Sequence, residues 1–325
     1  MLNQSQNNQL QYASTKVCTL FITFLIMIII TAFCRFPSVN LQVIVFAFLS
    51  STVLFDVESA AERFNLVCRM FLSVSILQFA AGILGAYPLL QIIVFSFFSW
   101  YIAAFIRDKS AVFVVLIAGS LDFFVANNYQ NLINRIVILL VGTLVALGVA
   151  TCSRLLVKNI QIVNLQTTKL NAFCLSLMIC SGLLIVELFK LKQGIWVILT
   201  IFFIGFAANE YQKIVQLAKA RIYSVPLGLL SGMLYLSCFT NLDYRFFYLM
   251  PFLGAIGFFI LYYSGNYFFF SFFFMLCFML YADLSMGSSR EFHAWQLIFA
   301  RSLSSWLGVA ILVIFGNKLY CRENL

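Results

Sequence analysis

The chain has 325 residues, 63% hydrophobic and 10% charged, with a mean hydropathy of +1.01. Soluble domains are about half apolar and about a quarter charged, so there is too little polar surface here to cover a water-soluble globule. The net charge of +9 comes from 20 basic and 11 acidic residues, with the bases set singly between apolar runs, a spacing that excludes a nucleic-acid patch and informs topology instead.

In lipid, only helices and closed barrels satisfy their own backbone groups. A barrel needs short segments that alternate apolar and polar residues, whereas the apolar runs here are continuous, as over 17–34. The fold class that follows is an all-α polytopic membrane protein.

Residues 1–16 are polar and amide-rich, without the charged start, short apolar core and cleavage site of a secretory signal, and predict an uncleaved cytoplasmic tail. A spanning helix needs about 20 apolar residues. Six such segments follow at 17–34, 38–55, 66–83, 86–106, 111–127 and 133–151, forming a first half over 17–151. A polar linker at 152–170 is too short to be a soluble domain. A second half over 171–316 holds segments at 171–189, 194–209, 222–240, 246–263, 266–284 and 294–316, and a tail at 317–325 closes the chain. With the N-terminus inside, 13 of the 20 basic residues fall on the inner side, and both termini are expected in the cytoplasm.

Three helix entrances share one frame: arginine, six mostly apolar residues, then glycine. They are Arg135 to Gly142, Arg221 to Gly228 and Arg301 to Gly308. Segment three repeats the frame from Arg69 with the glycine lost. Segments 3, 6, 9 and 12 therefore suggest two six-helix repeats, and an even number of spans per half makes them parallel. Glu58 matches Glu210, and Asp122 matches Asp283. Glycine two turns inside a helix admits a neighbouring backbone, which assigns Gly142, Gly228 and Gly308 to helix packing. The same arginine and glycine helices serve equally as a packing core that touches no substrate.

The stretch from Leu191 to Gly232, with Trp196, Thr200, Lys219, Arg221 and Gly228, resembles the fusaric acid resistance family and its relatives, the aromatic acid exporters. The first half echoes it more weakly over 40–84. The resemblance implies an inner-membrane exporter of aromatic or other weak carboxylic acids, or related toxic compounds, driven by the proton motive force. Several members carry cytoplasmic domains after each membrane half, and this chain is expected to be a short form without them.

Carboxylates inside a helix bundle are costly and mark function by default. Asp122, Asp283 and Glu187 are the proton-coupling candidates, because a carboxylate out of water favours its protonated form. Pairing with a helix-entry arginine, or a place at the wet interface, is the competing assignment, and for Asp122 the nearby Asn127 and Asn128 favour the interface. Arg69, Arg135, Arg221 and Arg301 are the anion-binding candidates, since a guanidinium fork matches a carboxylate. Lipid phosphates explain the inner pair, Arg69 and Arg221, equally well.

The aromatic run over 262–274 wraps every face of a helix, so most of it meets lipid or packs on neighbours. Trp100, Trp196, Trp295 and Trp306 include interfacial anchors. Nine cysteines without a CxxC pair, lying mostly in apolar runs, are core hydrophobes. His293, the one histidine, has no partner pattern, so no metal site and no cofactor are expected.

Secondary transport is the leading function. No GxxxxGK motif is present to bind and hydrolyse ATP. The loop at 56–63, DVESAAER, lacks the basic Gly-Asp-Arg pattern of major-facilitator transporters. The alternatives are a non-catalytic membrane subunit of an envelope complex and a membrane-embedded transferase, the latter disfavoured by a single histidine and short loops. The expected partners are the lipid bilayer, a small organic acid, and a periplasmic adaptor or further copies of the chain. No nucleic acid partner is expected.

Overall fold

The computed structural model describes residues 2–33, 41–84, 87–106, 108–124, 132–157, 169–191, 193–208, 210–238, 249–286 and 290–320. They form twelve helices, one for each predicted segment: α1 (Leu2–Phe33), α2 (Leu41–Asp56), α3 (Ala60–Leu84), α4 (Pro88–Ile106), α5 (Lys109–Phe124), α6 (Leu132–Leu155), α7 (Lys169–Leu188), α8 (Ile195–Ala207), α9 (Tyr211–Cys238), α10 (Leu249–Ser264), α11 (Tyr267–Met286) and α12 (Arg290–Tyr320). Among the described residues, five stretches are long and apolar enough to cross a bilayer: Asn7–Ile30, Ala60–Leu84, Pro88–Ile106, Ile133–Leu155 and Trp295–Asn317. The chain is a multi-pass helical membrane protein.

Several helices begin earlier than hydropathy predicts. The polar segment before residue 17 is already helical in α1, and α3 and α9 start six and eleven residues before their apolar runs. Glutamine, glutamate, lysine and arginine favour helix as well as leucine does, so a hydropathy window ends where the apolar face ends, not where the helix does. Tertiary contacts extend α1 as well. Lys16 Nζ donates to Asp56 Oδ2 at 2.5 Å and to the Tyr12 hydroxyl at 3.0 Å, and that hydroxyl donates to Asp56 Oδ1 at 2.7 Å. Tyr12 and Lys16 are one turn apart, so both reach Asp56 only from a helix.

Helix ends use local chemistry. Asp108 caps α5, its Oδ1 accepting from the Ala111 N–H at 2.8 Å. After α7, the Leu191 N–H reaches back to Val186 O and the Lys190 N–H to Glu187 O, with Lys190 in the left-handed region at φ 49°. Between α10 and α11, Gly265 turns the chain at φ +66°, a conformation that costs glycine no side-chain clash.

The chain divides into two compact units, Met1–Leu184 and Ile185–Leu325. In the first, α2 packs against α1, α5 and α6, and α3 packs against α4, α5 and α6. In the second, α12 packs against α8 and α9, and α11 against α9 and α10. The pairs α2–α6, α3–α5, α3–α6 and α4–α5 thus recur, six helices on, as α8–α12, α9–α11, α9–α12 and α10–α11.

Burial repeats with the pairing. On α6, Ile138, Leu139, Gly142, Thr143, Ala146 and Ala150 are buried, while Leu140, Leu144 and Gly148 are exposed. On α12 the order recurs, with Ser304, Ser305, Gly308, Val309, Leu312 and Gly316 buried and Trp306, Ala310 and Ile314 exposed. On α3, Met70, Ser73, Val74 and Leu77 are buried, in step with Arg221, Ser224, Val225 and Gly228 on α9. Met70 therefore stands in register with Arg221, one residue on from the Arg69 frame, and Arg69 itself is exposed beside the Phe105 ring.

The glycines mark where helices approach most closely. A Cβ at Gly228 would lie 2.5 Å from Phe272 O on α11, and one at Gly308 would lie 2.6 Å from Val197 O on α8. At Gly142 it would meet side chains of α2 and α1, Val43 Cγ1 at 3.2 Å and Met27 Cε at 3.4 Å among them. The α3–α5 contact uses the opposite arrangement from α9–α11. Leu77 on α3 sits over Gly119 on α5, whereas Gly228 on α9 receives Met275 from α11. The glycine missing from α3 has its steric equivalent on the partner helix.

Candidate functional site

The second unit contains a buried polar core centred on α8. All residues from Trp196 to Ile204 are buried, so this helix is enclosed on every side. Trp196, Thr200 and Phe203 recur at i, i+4 and i+7 and share one face. The aromatic members of that face each meet an arginine. The Arg301 guanidinium carbon lies 5.3 Å from the centre of the Trp196 ring, and that of Arg221 lies 5.2 Å from the centre of the Phe203 ring. The rings are seven residue steps apart, about 10.5 Å along the axis.

Arg221 is fully buried. Its Nη1 donates to Ser271 Oγ on α11 at 3.0 Å, while Nε and Nη2 have no hydrogen-bond partner. The Tyr267 hydroxyl, one turn before Ser271 on α11, is near enough to interact with the guanidinium electrostatically, but it makes no hydrogen bond of full geometry. No carboxylate among the described residues lies within ion-pair distance of Arg221. Phe203, Phe270 and Phe274 form a ring cluster beside it, with centroids 5.0–6.0 Å apart. A guanidinium enclosed this way is stable only if something supplies its missing acceptors.

Other polar atoms of this core also lack hydrogen-bond partners: the hydroxyls of Thr200, Ser224, Ser302 and Ser305. They belong to α8, α9 and α12. Hydroxyls rotate and both donate and accept, so they can serve a polar solute without the cost of burying further charge. Arg301 donates from Nε to Gln193 Oε1 at 3.4 Å.

The remaining sequence candidates fall elsewhere. Asp122 and Asp283 lie two and three residues from the ends of α5 and α11, and their side chains lie outside the described residues, as does His293. Glu187 pairs with Lys190 at the partly exposed end of α7. Arg135 is half-buried on α6. Trp196 is buried beneath Arg301, on a helix packed on every side. Trp100, Trp295 and Trp306 are exposed. Ser271, Ser224 and Phe203 escaped the sequence reading, since a hydroxyl or ring inside an apolar run carries no periodic signal. Among the described residues no cluster of His, Cys, Asp or Glu could hold a metal.

No curated protein and no solved structure matches the chain. A family model described as fusaric acid resistance protein-like matches residues 179–315, just over two fifths of the chain. The match runs from within α7 to within α12 and includes Arg221, Ser271, Phe203 and Arg301. A fusaric acid resistance protein-like domain therefore occupies residues 179–315 of this multi-pass membrane protein.

Proposed function

We propose that the protein is an inner-membrane transporter that exports aromatic or other weak organic acids, or related toxic compounds, and couples export to protons. The observation that carries this reading is Arg221, a fully buried guanidinium with two nitrogens unpartnered and, among the described residues, no carboxylate within ion-pair distance. An organic carboxylate arriving there supplies the missing acceptors and the missing charge, with Ser271 and Tyr267 flanking it and the Phe203 cluster beside it. Arg301 on Trp196 is a second cationic station two turns along α8, and Thr200 stands between the two. The pair fits stepwise passage of an anion from one station to the other.

Asp122 and Asp283 occupy corresponding ends of α5 and α11, and they are the proposed proton-coupling groups, with Glu187 as the next candidate. The recurrence of helix pairs and burial order supports two six-helix repeats. The even number of spans per half and the bias of basic residues to one side are the grounds for reading them as parallel, with twelve spans and both termini in the cytoplasm. A periplasmic adaptor or further copies of the chain would complete an export route. No catalytic role is assigned.

Flux of a panel of aromatic and aliphatic acids, driven by a pH gradient in proteoliposomes, tests the reading. Wild type should move at least one acid, and Asp122→Asn or Asp283→Asn should abolish its proton linkage. Proton-linked flux unchanged in both variants would move the coupling site to Glu187. The absence of flux for every acid under any gradient would contradict export.

A further inference from the structure

The first unit carries a second arrangement of arginines that the transport reading does not use. Arg63 lies in the first turn of α3 and Arg154 in the last turn of α6. Below them, one turn further into the same helices, Val67 and Ala150 belong to one apolar cluster with Leu54 of α2. The two arginines thus stand side by side on an apolar floor where α2, α3 and α6 meet, close enough for their charges to repel.

Arg63 is buried, at 5% exposure. Its Nη1 makes one long bond, 3.4 Å, to Val57 O, and its Nε has no partner. Arg154 lies over the Phe55 ring at 5.8 Å and meets Glu58 at 3.7 Å. The Glu58 side chain is 68% exposed, so this contact is weak. Lys16 of α1 and Asp56, at the same end of α2, are bonded to each other. Two guanidinium groups thus converge beside one another, with a buried donor on Arg63 still to be satisfied.

We propose that Arg63 and Arg154 form a binding site for a phosphate group carrying a single negative charge, either the head-group phosphate of an anionic phospholipid or inorganic phosphate. Guanidinium forks match phosphate oxygens bidentately. Basic pockets between helices near a membrane face are where anionic head groups dock. The bound phosphate relieves the repulsion between the arginines and accepts from Arg63 Nε. Glu58 competes for the same charge, and its exposure lets it swing away when the phosphate arrives.

The test is the unfolding temperature of the full chain in non-ionic detergent, measured with added phosphatidylglycerol, phosphatidylcholine or sodium phosphate, the last against sodium chloride at equal ionic strength. Phosphatidylglycerol is expected to raise it by about 2–4 °C more than phosphatidylcholine does. Arg63→Gln and Arg154→Gln should lose that increment, while Lys213→Gln, an exposed cation on α9, should keep it. Glu58→Gln should enlarge it, and this exposed substitution carries the test if an arginine variant fails to fold. An increment from sodium phosphate alone assigns the site to a soluble anion, and one from phosphatidylglycerol alone assigns it to lipid. Equal temperatures in all three additions, or an unchanged increment in both Arg154→Gln and Glu58→Gln, would overturn the proposal.

Discussion

The indole N–H of Trp306 donates to the main-chain carbonyl of Ile222 at 3.2 Å. Ile222 lies four residues before Pro226, the proline inside α9, so its carbonyl is the one that proline leaves without a helical donor. In hydrocarbon such an acceptor has no water to turn to. A side chain of α12 thus replaces a backbone bond of α9, beside the residue that carries the buried guanidinium.

Trp306→Phe removes the donor and keeps most of the ring. It should cost about 0.5–1.5 kcal/mol of stability, the range for interhelical hydrogen bonds in membranes. In a Pro226→Ala background the alanine N–H takes the Ile222 carbonyl, and the same substitution should cost far less. Chemical unfolding of the four proteins gives the coupling directly. Equal costs in both backgrounds would break the link between Trp306 and Pro226.

The three packing glycines should respond to alanine in a defined order. At Gly228 and Gly308 the new methyl meets a main-chain carbonyl at 2.5 and 2.6 Å, which only a shift of the whole helix relieves. Those variants should lose about 1–3 kcal/mol. At Gly142 the nearest atoms are side chains at 3.2–3.4 Å, able to give by a few tenths of an ångström. Gly142→Ala should therefore be the mildest of the three when their unfolding temperatures are compared. A Gly142→Ala loss as large as the others would mean that the α2–α6 seam is as rigid as the backbone contacts.

Asp108 predicts a pH dependence. Burial, reinforced by the Asp56 charge, raises its carboxyl above the ordinary value of 3.8, against the lowering effect of the Ala111 N–H. The folded state then holds its proton to higher pH than the unfolded state. This group's contribution to stability falls as pH rises from about 3.8 through the raised value. Asp108→Asn keeps an acceptor for the Ala111 N–H and has no charge to bury. It should be more stable than wild type at neutral pH, and the difference should shrink on acidification. A difference that stays constant, or that grows as pH falls, would contradict the assignment.

Helical, membrane-spanning character was legible from continuous apolar runs, because lipid admits few alternatives. Helix starts were less legible, as Tyr12 and Lys16 illustrate: they extend α1 through contacts with Asp56, 40 or more residues away. Arginine was a poor guide to register on α3. The frame from Arg69 follows residue type, whereas burial follows Met70, and steric equivalence is carried by Gly119 on another helix. In the site, Arg221 was visible as a charge in an apolar run. Ser271 and Ser224 were not, because the burial of a hydroxyl among packed helices is a property that one-dimensional periodicity does not contain.

The account rests most on Arg221 as the handle for an organic anion. Removing a buried guanidinium that no described carboxylate neutralises should relieve the fold, while removing a substrate handle should stop transport, and the two effects run in opposite directions. The decisive measurement pairs acid flux in proteoliposomes with the unfolding temperature for wild type and Arg221→Met. The account predicts a variant at least as stable as wild type with its flux reduced by a factor of about ten or more, the worth of one charge-assisted bond. A stable, inserted Arg221→Met protein that transports acid at the wild-type rate would contradict it.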